Sequence, residues 1–445
     1  MKTHTLIRTC AIAAAFAALP AFAVTEIQWW HSMTGALDTS VNNIANKFNA
    51  SQSDYKVVPV YKGGYTESMS AAIAAARAKQ APHILQVFEV GTATMMAAKG
   101  VVKPVYQVMQ EAGEPFDPKA YMPAVASYYT DTQGRMLSMP FNSSTTVFYY
   151  NKDAFLKAGL DPAKPPRTWQ QVGEAAAKIK STGALPCAYT TAWQSWVQLE
   201  STSAWHNVQF ATLENGFGGM GARLTDNNPV IVKHVEMLGQ WAKDGRFSYA
   251  GRTTEPEAKF YSGECAMLTS SSAAYANIKR NSKFDFAISY LPYDADVKGA
   301  PQNTIIGGAS LWVFEGKSAD EYKGIAKFFT FLSNPEIQAE WHQTTGYVPI
   351  TKAAYELTKS QGFYEKNPGT EIAVEQLLLK NPTKMSKGLR LGNYVQIRTI
   401  NDEELEAVWS GKKSAKAALD AMVARGNEEL RKFERANKAG PTASK

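Results

Sequence analysis

The chain has 445 residues, 45% hydrophobic and 20% charged. That length is too great for one compact core, and the composition excludes a disordered or fibrous protein. The formal charge of +7 falls to +5 when Lys2 and Arg8 are removed with the N-terminal leader. Acidic and basic residues are interleaved, with only the tail from Arg431 locally basic, so charge gives no footing for nucleic-acid binding.

Lys2 and Arg8, the apolar run from Cys10 to Phe22 and the closing Ala21-Phe22-Ala23 fit a secretory signal peptide over residues 1–23, cleaved before Val24. The run is shorter than the roughly 20 residues a spanning helix needs, so a periplasmic protein is expected. Arg8 before Cys10 and the apolar run after it are in the reverse order of a lipoprotein signal. Cys187 and Cys265 remain in the mature chain, with no metal-site spacing; in an oxidising compartment they are either a disulfide or two buried thiols.

Val24 to His31 reads as a strand, followed by Leu37, Val41, Ile44 and Phe48 on one helical face. Tyr55 to Tyr61 is a second strand, running through Gly63, Gly64 and Tyr65 into a helix that ends near Lys79. His83 to Val90 is a third, leading to a helix over Thr92 to Lys99. This alternation predicts an α/β fold with a mostly parallel sheet flanked by helices, whose ligands bind at the carboxyl ends of the strands. His31, Ser32, Gly64, Tyr65 and Glu89 stand there.

Pro140 to Asp153 opens with small hydroxyls and an amide, continues with β-branched and aromatic residues and ends at a helix start, as a crossover between two lobes would. Thr168 is a helix N-cap candidate with Trp169 at the helix start. Tyr189 to Phe210 reads as a helical, aromatic-rich part of a second core. Phe260 to Thr269 reads as a strand entering the hydroxyl-rich turn Ser270 to Ser272. Phe284 to Pro292 and Ile305 to Phe314 are further strands, Tyr322 to Gln343 a long helix, Gly346 to Pro349 a return crossing, and the last hundred residues mostly helical. The first lobe is therefore expected over 24–141 with about 310–345, and the second over about 142–309 with 346–445.

The chain lacks a Walker loop, a Gly-x-Ser-x-Gly elbow, His-Glu-x-x-His and Cys-x-x-Cys, and His31, His83, His206, His234 and His342 are scattered. No enzyme, metal or cofactor is expected. Polar residues at strand ends instead suit a two-lobed protein that encloses a small polar ligand.

Trp30-His31-Ser32-Met33, the run Gln86 to Met96, Pro140-Phe141-Asn142-Ser143-Ser144, the run Ile305 to Trp312 and Gly388 to Asn393 resemble the periplasmic sn-glycerol-3-phosphate-binding proteins of ABC importers. These form a group within the maltose-binding-protein-like solute-binding family, and the resemblance runs from Val24 to the C-terminus. It implies a two-lobed fold with several crossovers that captures sn-glycerol 3-phosphate and glycerophosphodiesters such as glycerophosphocholine; a monomer is the default expectation. Delivery would be to ABC transporter permease subunits in the inner membrane. It places ligand contacts on Tyr65, Glu89, Ser144, Trp169, Ser271, Gly308, Tyr347 and Arg398. One extra residue near Ala184 to Pro186 leaves Ser270 or Ser272 as alternatives to Ser271, and Gly307 to Gly308.

The chemistry of that set is coherent. Arg398 offers a planar fork to a phosphate, with hydroxyls and the Gly308 amide as neutral donors. Glu89 would repel phosphate and is expected to accept from glycerol hydroxyls, and Trp169 is expected to cover the glycerol carbons or a quaternary ammonium. Two other readings compete. Ten tryptophans could stack on an oligosaccharide, and a phosphodiesterase could act on the same diesters, although no metal cluster or acid–base pair for one is visible.

Overall fold

The computed structural model describes residues 24–438, so the expected signal peptide lies outside the described residues. Among the described residues, ten strands form two sheets: β1 Thr25–His31, β2 Tyr55–Tyr61, β3 Ile84–Phe88, β4 Val102–Lys103, β5 Met139–Ser144, β6 Thr146–Asn151, β7 Cys187–Thr191, β8 Cys265–Ser271, β9 Phe286–Ser289 and β10 Gly307–Phe314. The first has the order β2-β1-β3-β10-β4, with β5 also paired to β10; the second has the order β7-β8-β6-β9. Helices pack around both.

Both sheets are mixed rather than mostly parallel. β1 pairs β2 and β3 in parallel, as the β-α-β-α-β pattern requires, and β7 pairs β8 in parallel. The strands joined to the crossings run the other way: β10 is antiparallel to β3, β4 and β5, and β6 is antiparallel to β8 and β9. A chain that leaves one sheet for the other enters it from the cleft side, opposite to strands that end there.

The crossing within Pro140 to Asp153 falls at a single residue. β5 stays in the first sheet to Ser144, β6 starts the second at Thr146, and Thr145 between them donates its hydroxyl to the Ile305 carbonyl at 2.8 Å. Gly307 pairs Ser144, and the Val348 amide donates to the Ser143 carbonyl at 2.8 Å, so three chain passages lie side by side at this point.

Several local expectations change. Residues 187–191 are a strand, and the helical part of the aromatic segment is the π-helical turn Trp196–Ser201 with Thr202–Trp205. Phe260 and Tyr261 belong to the helix Glu255–Tyr261, and Gly263, at φ +81°, turns the chain before β8 starts at Cys265. The long helix divides into Ala319–Leu332 and Pro335–Thr345 because Asn334 caps a new start and Pro335 lacks the N–H to continue the old one. Cys187 and Cys265, opposite each other on β7 and β8, are joined as a disulfide. Among the described residues, no helix is long and apolar enough to cross a membrane.

Candidate ligand-binding cleft

The strand ends meet in a cleft of about 550 Å³ lined from both sheets. It contains seven of the eight expected contacts: Tyr65, Glu89, Ser144, Ser271, Gly308, Tyr347 and Arg398. Ser32 and Gly64 also line it, whereas His31 is buried beneath, its Nδ1 accepting from the Met33 amide at 3.3 Å.

Local chemistry selects among neighbours. Of three consecutive serines, Ser271 is the one that lines the cleft, its hydroxyl accepting from the Ala273 amide at 3.1 Å, while Ser270 donates to Glu257 at 2.8 Å and the Ser272 hydroxyl accepts from the Thr145 amide. Gly308 has φ +85°, and a Cβ there would lie 1.8 Å from the Asn142 carbonyl oxygen; glycine is required for its backbone to reach the cleft. Gly307 serves a different contact, since a Cβ would lie 2.3 Å from the Trp196 ring. Asn142 stands behind the cleft, accepting from Gln86 at 2.9 Å and donating to the Tyr65 hydroxyl at 3.2 Å, which fixes that phenol.

Trp169 is not part of the cleft. Thr168 caps the helix Trp169–Ser181 in a capping box with Gln171, and this start turns Trp169 onto the buried face with Val172, Ala176 and Ile179. Its ring packs between His234, Tyr189 and Trp241, with centroids 4.9, 5.9 and 6.3 Å away. The aromatic wall comes instead from Trp193 and Trp196. Trp193 has φ 49°, an uncommon conformation for a tryptophan and a mark of a constrained site.

Arg398, on the helix Tyr394–Trp409, joins the walls. Its Nε and Nη2 donate to Glu200 at 3.0 and 2.7 Å, and Nη2 also donates to Glu89 Oε1 at 2.7 Å. Glu89 follows β3 of the first sheet; Glu200 belongs to the π-helical turn on the other side. Glu89, expected to accept from glycerol hydroxyls, is thus bound to the cation through one of its oxygens. Each partner keeps one edge without a protein hydrogen bond among the described residues: Arg398 Nη1, with two N–H donors, and Glu89 Oε2, an acceptor.

Burial would lower the Arg398 guanidinium, but Glu200 and Glu89 outweigh it and hold the group well above its ordinary value. Burial raises the Glu89 carboxyl, opposed by Arg398 and reinforced by Glu200. Two further carboxyls on the cleft are pushed up mainly by burial, Glu257 to about 7 and Asp402 to about 6. The cleft's other arginine, Arg252, is committed to Glu406 through Nε at 2.6 Å and Nη2 at 2.7 Å. Among the described residues, no group of three or more His, Cys, Asp or Glu could hold a metal ion.

The profile of bacterial extracellular solute-binding proteins matches residues 43–371. The sn-glycerol-3-phosphate-binding periplasmic protein UgpB of Pectobacterium atrosepticum is 56% identical over 440 residues, 98% of each chain. This chain belongs to the bacterial extracellular solute-binding proteins. Two solved structures share the fold of this solute-binding protein. UgpB from Mycobacterium tuberculosis in complex with glycerophosphocholine has a TM-score of 0.75 at 21% identity, covering 94% of this chain and 100% of that one. The cyclic alpha-maltosyl-1,6-maltose binding protein from Arthrobacter globiformis has a TM-score of 0.72 at 22% identity, covering 92% and 100%. The two-lobed α/β architecture expected from the chain's length, its crossover stretch and the resemblance is therefore the family's.

Proposed function

We propose that the protein captures sn-glycerol 3-phosphate, and glycerophosphodiesters such as glycerophosphocholine, between its lobes for an ABC importer. The observation that carries this reading is the Glu89–Arg398 pair. It presents an unmatched donor edge beside an unmatched acceptor edge, the pattern that an anionic group next to a hydroxyl would complete. Phosphate takes Arg398 Nη1 and the hydroxyls of Ser144, Ser271 and Tyr347 with the Gly308 amide, and glycerol hydroxyls take Glu89 Oε2. Trp193 and Trp196 cover the carbon skeleton. Tyr65, fixed by Asn142, adds a phenolic donor. The name and near full-length identity of the Pectobacterium relative support the same ligand.

The rest of the transport cycle follows. Residues 1–23 direct export to the periplasm and are removed. The lobes, assigned to the two sheets with the crossing at Thr145, close as a monomer by hinge bending, and the closed form docks on permease subunits in the inner membrane. Titration calorimetry with sn-glycerol 3-phosphate and with glycerophosphocholine tests the assignment: heat with saturation below millimolar ligand is expected, and its absence for both would end it. The tryptophans on the cleft and the Arthrobacter sugar-binding neighbour give an oligosaccharide a second claim. Maltose that shifts tryptophan fluorescence where both phosphate compounds leave it unchanged would favour that reading. Choline released from glycerophosphocholine by the pure protein would make it a phosphodiesterase.

A further inference from the structure

Arg398 lies on a helix and reaches the cleft by a long side chain that, left alone, would sample many rotamers and lose that freedom on binding an anion. Glu200 prevents this. Its side chain is almost wholly buried, and its two oxygens accept from Nε and Nη2 of the guanidinium at 3.0 and 2.7 Å, a fork that fixes both position and plane. Glu200 and Arg398 are both on the second-sheet side of the cleft, whereas the Glu89 bond at 2.7 Å spans it.

The backbone around Glu200 is shaped for this task. Residues Trp196–Ser201 form a π-helical turn, whose wider i→i+5 spacing is rare and concentrates at functional sites. One short segment thus carries Trp196 to the cleft and Glu200 to the arginine behind it.

We propose that Glu200 is a positioning residue for ligand capture: it holds Arg398 in the open protein with Nη1 aimed into the cleft, so that the cation is ready before the ligand arrives. This rests on the phosphate reading above. It makes a counterintuitive prediction, because Glu200 is also a negative charge close to where an anion must bind. Were charge its main effect, removing it would tighten binding; as a positioning residue, its removal weakens binding.

Glu200→Gln separates the two, since the amide keeps the shape and one acceptor but cannot accept at both positions. Two readings are taken on the variant and the native protein: calorimetric affinity for sn-glycerol 3-phosphate, and the side-chain nitrogen resonances of Arg398 in the unliganded state, assigned by their absence in Arg398→Lys. The native protein should show separate, slowly exchanging Nη1 and Nη2 signals. In E200Q these should merge, with affinity lower by about tenfold, the scale of one long side chain's ordering. Unchanged or tighter binding, or signals that stay separate in E200Q, would overturn the proposal. If E200Q does not fold, Glu200→Asp, too short for the fork, is read against the same outcomes. A native protein that fails to bind the phosphate compound removes the functional reading instead, and the resonances still report on the fork.

Discussion

On one wall of the cleft Tyr65 starts the helix that follows β2 and Glu89 comes directly after β3, where an ordinary α/β pattern puts ligand contacts. On the other, Trp193 follows β7 in a left-handed backbone conformation, Trp196 and Glu200 come from a π-helical turn, and Arg398 reaches in from a helix about two hundred residues later in the chain. Regular elements place the first wall; irregular backbone and a buried ion pair place the second. The regular wall supplies hydroxyls, apolar side chains and the carboxylates Glu67 and Glu89, so the cation and the two tryptophans both depend on the less regular side.

The largest effect should follow from breaking the link between the walls. Arg398→Ala removes the cation and strands Glu89 and Glu200 in a buried site. Affinity for sn-glycerol 3-phosphate should fall by about 2 to 5 kcal/mol, roughly thirty-fold or more, with a lower melting temperature, read by calorimetry and thermal denaturation. Normal binding by this variant would remove the arginine from the site.

Trp169 and Trp196 sharpen the comparison, since the two rings differ in place more than in chemistry. Trp169→Ala should destabilise by about 3 to 5 kcal/mol, the cost of a large core aromatic, with affinity within about twofold of the native value. Trp196→Ala should cost stability too, because its ring packs on Gly307, but it should also weaken binding by about tenfold. Equal affinity losses in the two would return Trp169 to the site.

Smaller effects are expected from the hydroxyl side. Ser144→Ala should weaken binding by about 1 kcal/mol, a several-fold change in the dissociation constant. Glu257→Gln tests a charge buried at the cleft. The native carboxyl is raised from 4.5 to about 7 by burial, so the folded state holds a proton that the unfolded state has released between those values. The stability this contributes is present below about 4.5 and lost as pH rises through 7. Relative to native protein, E257Q should be near neutral at pH 5 and gain by a few degrees of melting temperature at pH 8.

Why one wall was easier to read than the other follows from the same physics. Tyr65 and Glu89 follow strands bracketed by glycines and amphipathic helices, and the strand-end rule finds them. The rule fails at β7 because Cys187 to Thr191 is buried at every position and shows no alternation, so the segment reads as part of the helical stretch after it. Read as a strand, it would have pointed to Trp193. Trp169 was expected at the ligand through the resemblance alone, and its capping box directs the ring inward. Glu200 had one signal, a carboxylate inside an aromatic run, and its partner is distant in sequence. Among the serines and glycines the ambiguity of one residue was decided by hydrogen bonds and close approach, which spacing does not encode.

The pairing of a free donor edge on Arg398 with a free acceptor edge on Glu89 is most directly tested by a crystal structure of the complex with sn-glycerol 3-phosphate. That complex should show a phosphate oxygen about 2.7 to 2.9 Å from Arg398 Nη1, a glycerol hydroxyl on Glu89 Oε2, and the Glu200 fork intact. A phosphate bound elsewhere in the cleft, with Nη1 unengaged, would contradict it.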